Sequence, residues 1–281
     1  MMEFKWKNPQ EKQLVVNDKK GVVYLSYPQI EETDMVVHGF TTRLGGVSQG
    51  IYSSMNLSFT RGDDEDCVYE NYKRAADAIG FSYDSVVCSD QTHTTNVRLI
   101  TESDRGNGLT KPKEFFDVDG MITDIPGLTL ATFYADCVPL YFVDTRHKAI
   151  GLSHSGWRGT VGKMGRKTVE AMSEAFGTAP QEVIAAIGPS ICVDCYEVSL
   201  DVADEFDRAF DDCTKILYPK ENGKYQLDLW EANRQVLLEA GVSSEHITMP
   251  NLCTCCNKEL LFSHRGLKGK RGNLAAFLAI K

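Results

Sequence analysis

The chain has 281 residues, 42% hydrophobic and 25% charged, the composition of a folded protein with a substantial core. A formal net charge of −9 argues against nucleic acid as the main partner, because a phosphate backbone demands a basic face. No apolar run reaches the length of a membrane span, the N-terminal ten residues lack a signal-peptide core, and the nine cysteines are odd in number and scattered, so a reducing cytoplasmic setting is expected.

An opening hairpin is expected from residues 21–27 and 35–41, followed by a glycine loop carrying Arg43, Gly45 and Gly46. Residues 65–79 have helical spacing and stop at Gly80, a residue suited to a left-handed cap. Strands are expected at 85–88 and 95–100, and a short one within 117–123 ahead of a Pro126-Gly127 turn. Three further apolar runs of strand length lie at 128–134, 140–143 and 149–152. A helix over 161–176 is stopped by Gly177, and a strand at 183–187 feeds the turn Gly188-Pro189-Ser190. Helices over 202–210 and 230–240, an extended piece at 225–229 and a final strand at 274–280 complete the order. Hairpins early and helix–strand alternation later predict an α/β (α+β) layered sandwich of mixed β-sheets flanked by helices. No repeat, low-complexity tract or linker divides the chain, so residues 1–281 read as one domain.

The chemistry concentrates in two turns. One is Thr132-Phe-Tyr-Ala-Asp136-Cys137-Val-Pro139, the other Leu152-Ser-His154-Ser-Gly156-Trp157-Arg158-Gly159. Apolar, strand-like residues connect them, so neighbouring strands would deliver Cys137 and His154 to one sheet end. A third candidate, His93, stands in Ser89-Asp-Gln91-Thr-His93-Thr. Two His and one Cys, with one position left for water, are what a catalytic zinc uses. Taken singly, Cys137 reads equally as a buried small hydrophobe and His93 as a surface histidine. Asp136 tilts the balance, since a carboxylate beside a thiol is awkward in a core and natural near a cation; it would orient a ligand or shuttle a proton. The Gly156–Gly159 turn opens a predicted helix, and with Trp157 and Arg158 it reads as a seat for phosphate or carboxylate. The competing reading is a tight strand-to-helix turn with Arg158 solvated.

Two cysteine clusters compete for attention. Cys192-Val-Asp-Cys195 is a C-x-x-C that could bind zinc or cycle as a disulfide and is read as having no second C-x-x-C partner; the run Cys253-Thr-Cys255-Cys256 is metal-like in composition. Arg265 lies in a basic tail segment from Phe262 to Gly272, which either neutralises an anionic substrate or forms a solvated loop. Arg43 is a similar candidate.

Read together, Gly39-Phe-Thr-Thr-Arg43-Leu-Gly-Gly46, Ser54-Met-Asn56-Leu, Gln91-Thr-His93, Asp117-Val-Asp119-Gly, Ala135-Asp-Cys137-Val-Pro and His154-Ser-Gly-Trp-Arg158-Gly resemble the laccase-domain family. That family is also called multicopper polyphenol oxidoreductase-like and includes purine nucleoside phosphorylases of the same fold. Ile187-Gly-Pro-Ser-Ile191, Cys253-Thr254 and Phe262-Ser263 extend the resemblance over nearly the whole chain. It implies a sandwich similar to the toxin-type cysteine hydrolase fold and one zinc ion on His93, Cys137 and His154. It further implies phosphorolysis of adenosine and inosine, methylthioadenosine cleavage and adenosine deamination. Arg43, Asn56, Gly156, Trp157, Arg158, Gly159 and Arg265 become the expected substrate or phosphate contacts. Departures are Thr94, where the family has Gly, and His264-Arg265-Gly266, where it has a Tyr-Arg-Arg run. Phenol oxidation with several coppers is disfavoured, because the six histidines include no His-x-His pair.

The expected enzyme is therefore a zinc-dependent pentosyltransferase taking a purine nucleoside and phosphate, with no nucleic-acid or membrane partner. A monomer is compatible with the sequence. The rival classes are a metal-free cysteine hydrolase or deamidase, with Cys137 as nucleophile and His154 as base, and a non-catalytic nucleoside sensor.

Overall fold

The longest apolar runs become the central strands of two six-stranded sheets. The computed structural model describes residues 3–11 and 13–281; Met1, Met2 and Lys12, which belong to the expected N-terminal segment and domain span, lie outside the described residues. Strands and helices are numbered in chain order. The first sheet runs β1 (Val15–Lys19), β2 (Val22–Ser26), β3 (Val36–Thr41), β15 (Leu274–Ile280), β7 (Thr129–Tyr134) and β4 (Val86–Cys88). Only β4 and β7 pair in parallel there. The second sheet runs β14 (Ile247–Thr248), β10 (Ile184–Ile187), β8 (Val138–Asp144), β9 (Ala149–Ser155), β6 (Gly120–Thr123) and β5 (Val97–Leu99), with parallel pairs at its two edges. A small antiparallel sheet joins β11 (Glu197–Val198), β13 (Tyr225–Leu227) and β12 (Leu217–Pro219).

The layering follows from strands buried on both faces. Along β15, Leu274, Ala276, Leu278 and Ile280 join the core shared with Tyr141, Ile150 and Leu152 of the second sheet. The intervening Ala275 and Phe277 pack on the opposite face against Val68, Tyr72 and Ala75 of α2 (Glu65–Ile79). Two-sided burial makes such strands read as continuous apolar runs, without polar alternation. The outer face of the second sheet, including Leu140 and Phe142, packs on α4 (Met164–Phe176), α5 (Leu200–Ala209) and α6 (Leu229–Glu239) through Val169, Met172, Phe206, Val236 and Leu237. Each such side chain removed from water contributes roughly 1.5–3 kcal/mol. The result is helix, sheet, sheet, helix: a mixed α/β sandwich, as the alternation predicts.

The expected helix over 65–79 matches α2, with Asp64 capping the Asp66 amide and Gly80 left-handed at φ 100°. The expected helix over 161–176 is α4, which starts three residues later and is preceded by a separate short helix. A five-residue α3 (Trp157–Val161) ends at Gly162, and α4 starts after Lys163, whose φ of 62° no helix accommodates. Gly162 lies between them, where a Cβ would meet Thr95 Cγ2 at 2.7 Å. The edge strand β1 and the four-residue α1 (Pro28–Glu31) are not predicted, because β1 is mostly exposed and lacks apolar alternation.

Candidate metal centre and adjoining cavity

The β8–β9 hairpin sets the site. Its register places Val138 opposite Ser155 and Pro139 opposite His154. Cys137, just ahead of β8, and His154, next to last in β9, therefore emerge at one end of the second sheet. His93 arrives from the loop between β4 and β5 and adopts a left-handed backbone, φ 67°. One donor atom from each of the three lies within 4.8 Å of the others, and Cys137 Sγ is 3.9 Å from His93 Nε2. The two imidazoles meet edge to face with centroids 4.9 Å apart. Gly156 is required beside them: a Cβ would stand 3.0 Å from His93 Cδ2 and 3.2 Å from Cys137 Sγ.

One carboxylate gathers the centre. Asp119 is fully buried, and its oxygens accept backbone N–H bonds from Thr92 (3.0 Å), His93 (3.2 Å) and Thr94 (3.0 Å). The same carboxylate accepts from His154 Nδ1 at 2.7 Å, and the Asp119 carbonyl accepts the His154 amide at 2.7 Å. A carboxylate on Nδ1 leaves Nε2 as the free donor and fixes the ring, which is how metal-bound histidines are oriented. Burial opposes ionisation of Asp119, but His154 and the Thr92 and Thr94 amides hold its carboxyl below the usual range. Burial likewise opposes a Cys137 thiolate, yet His154 and His93 bring the thiol down to about 6. Burial disfavours a charged His154, while Cys137 and Asp119 together raise it to about 9.

This donor set suits a divalent ion. A tetrahedral ion with bonds of about 2.0–2.3 Å to nitrogen and sulfur needs donors roughly 3.3–3.8 Å apart; the donors here lie somewhat wider, at 3.9 Å for Cys137 and His93 and within 4.8 Å for all three. All three residues line a cavity of about 740 Å³, a space of small-ligand size. Its walls include Phe133, Gln91, Arg61, Lys113 and Arg271. Arg271 is 7% exposed, donates through Nη1 to Asn273 and leaves Nε without a partner. Burial and the neighbouring Arg61 press its guanidinium down to about 10. Two cations this close, one of them buried, are suited to an anion.

The other expected contacts are placed differently. Asp136 is not among the three clustered donors. Its Oδ1 accepts from Thr254 Oγ1 at 2.6 Å and its Oδ2 from the Arg265 amide at 2.7 Å, so it braces the loop, and Asp119 does the orienting. Arg43 donates to the Ser53 and Lys258 carbonyls at 2.8 Å and stacks on Phe262, outside the cavity. Asn56 is buried and spent on Ser58, Asp63 and the Asn273 amide. Arg158 is exposed, stacked on Trp157 at 4.2 Å, and it does not line the cavity; nor do Trp157, Gly156, Gly159 or Arg265. Since α3 has five residues, the expected helix-start phosphate seat is not formed by a long dipole. Arg265 instead stacks on Tyr196 and donates to the Glu197 carbonyl. Sequence reasoning passed over Asp119 and Arg271. Asp119 stood in a quoted motif, and only its partners show its role.

Residues 37–281 match the family described as multi-copper polyphenol oxidoreductase laccase. The chain is 39% identical over 254 residues to purine nucleoside phosphorylase YlmD of Geobacillus stearothermophilus, covering 86% of this chain and 89% of that protein. It is 35% identical over 234 residues to adenosine deaminase RL5 from an unknown prokaryotic organism, covering 82% and 89%. The crystal structure of Bacillus licheniformis hypothetical protein YfiH superposes with a TM-score of 0.88 at 34% identity, covering 95% of this chain and 99% of that one. The chain belongs to this laccase-like family, and its named relatives point to a nucleoside-processing enzyme. A multicopper cluster does not fit the donors present. His38 is buried and accepts from the Tyr27 amide, and His147 pairs with Asp144, so neither adds a ligand to the centre. Among the described residues, no helix is long and apolar enough to cross a membrane.

Proposed function

We propose that this family member is a zinc-dependent purine nucleoside phosphorylase, acting with inorganic phosphate on adenosine, inosine and methylthioadenosine and deaminating adenosine at the same centre. It would work as one domain in the cytoplasm. The observation that carries the reading is the convergence of His93, Cys137 and His154 on the wall of a cavity of about 740 Å³. The relatives' names direct that site towards purine nucleosides.

His93 Nε2, Cys137 Sγ and His154 would hold the ion, whose contribution is Lewis acidity towards an oxygen of substrate or water. Asp119 keeps the proton on His154 Nδ1 and anchors the His93 loop through three backbone amides. Arg271 and Arg61 supply positive charge for phosphate, in place of the Gly156–Gly159 turn and Arg158. Phe133 offers an apolar surface to the base. In phosphorolysis a phosphate oxygen bonds to ribose C1′ while the bond from C1′ to the purine breaks, and the fixed cations hold the attacking anion in place.

His93 as a third donor favours metal binding over the hydrolase reading, in which a thiolate–imidazole pair suffices. Incubating purified protein with adenosine, with and without phosphate, tests the proposal chromatographically. Phosphate-dependent adenine reports phosphorolysis and inosine reports deamination. Phosphorolysis retained by Cys137→Ala would overturn the metal role.

A further inference from the structure

Outside the cavity, a second set of sulfurs converges. Cys192 and Cys195 bracket a 3-10 turn just before β11, and Cys253 and Cys256 bracket the turn after the Ser190–Cys253 bridge. The second pair has the same C-x-x-C spacing as the first, hidden in the sequence by the intervening Cys255. All four Sγ atoms lie within 4.8 Å of one another, and Cys195 Sγ is 3.5 Å from Cys256 Sγ. A disulfide needs sulfurs at about 2.05 Å, whereas a tetrahedral ion with sulfur bonds of about 2.3 Å holds them about 3.8 Å apart. All nine cysteines are free.

The surroundings suit bound thiolates. Cys253 Sγ, on a fully buried side chain, accepts backbone N–H bonds from Cys192 at 3.2 Å and Cys256 at 3.4 Å. Lys7 pairs with Asp194, inside the first turn. Cys192 is also buried, Cys195 and Cys256 are half-buried, and none of the four lines the cavity.

We propose that Cys192, Cys195, Cys253 and Cys256 form a closed, four-thiolate zinc site distinct from the cavity centre. Four soft ligands and no open position are the signature of a structural ion. It would knot the 192–195 turn to the 253–256 turn. Thr254, inside the second turn, donates its amide to the Ser190 carbonyl and its hydroxyl to Asp136, the residue before Cys137. The site thereby braces the loop that carries the cavity thiol. The inference stands whether or not the enzyme is a phosphorylase.

Metal analysis of the full-length protein, with X-ray absorption at the zinc edge, tests it. Wild type is expected to carry two zinc ions per chain, with a mean sulfur coordination well above the single sulfur of the cavity centre. Cys137→Ala is expected to retain one zinc with sulfur-only ligation. Adding Cys195→Ser should remove it, while Cys255→Ser should not. If the Cys195 variant fails to fold, the edge spectrum of Cys137→Ala decides alone. Cys137→Ala protein without sulfur-ligated zinc, or with these four cysteines joined as disulfides by mass spectrometry, would overturn the proposal.

Discussion

At the cavity wall, one cysteine and two histidines from a loop and a hairpin meet around a buried carboxylate; at the 192 and 253 turns, four cysteines meet on two short C-x-x-C segments. The first cluster borrows its geometry from the fold. Its donors are 44 and 17 positions apart, and Asp119 ties two of the three segments together. The second carries half of its geometry locally, because each turn already presents two sulfurs. One cluster lines a cavity with mixed donors, while the other, of sulfur alone, does not line it. The contrast teaches that access to a ligand-sized space, more than the presence of cysteine, distinguishes the two clusters.

The largest break in this contrast is Cys137→Ala. Nucleoside turnover should fall on the order of 10³-fold or more, the several kcal/mol that a Lewis acid contributes, while thermal unfolding shifts little. Kinetic assay beside calorimetry checks both halves. Asp119→Asn should keep all three donors yet weaken metal affinity or activity by about 10- to 100-fold, read by competition with a chelating dye. Arg271→Gln should raise the KM for phosphate roughly tenfold, the scale of one charge-assisted hydrogen bond, and leave phosphate-free deamination unchanged. A chelator should strip the open centre before the four-sulfur cluster, so activity would vanish while about half of the zinc remains; simultaneous loss would break the comparison. The smallest effect belongs to Arg158→Ala, expected to change KM for phosphate less than twofold, because that side chain is exposed and stacked on Trp157.

Much of the fold was legible. The helix at Glu65–Ile79 appears where apolar spacing and Gly80 place it, and β7, β8, β9 and β15 fall on the long apolar runs. The late start of α4 was not, because it follows the left-handed backbone of Lys163, φ 62°, which that residue type does not announce. In the site, the motifs around His93, Cys137 and His154 marked three side chains that the fold brings together. Arg158 and Arg43 were attractive as cations, but a charge in a glycine loop does not say which way it points. Arg43 spends its guanidinium on two carbonyls, while Arg271, unremarkable in a basic run, is the one buried at the cavity.

By itself the sequence determined residue types, element periodicity and the turns that bear donors, since these depend on neighbours a few positions away. Only the tertiary structure decided which carboxylate serves the centre, which arginines face the cavity, and that Cys192, Cys195, Cys253 and Cys256 form one cluster. Those outcomes rest on strand register and loop closure between remote segments, where a side chain's direction is fixed by what packs against it.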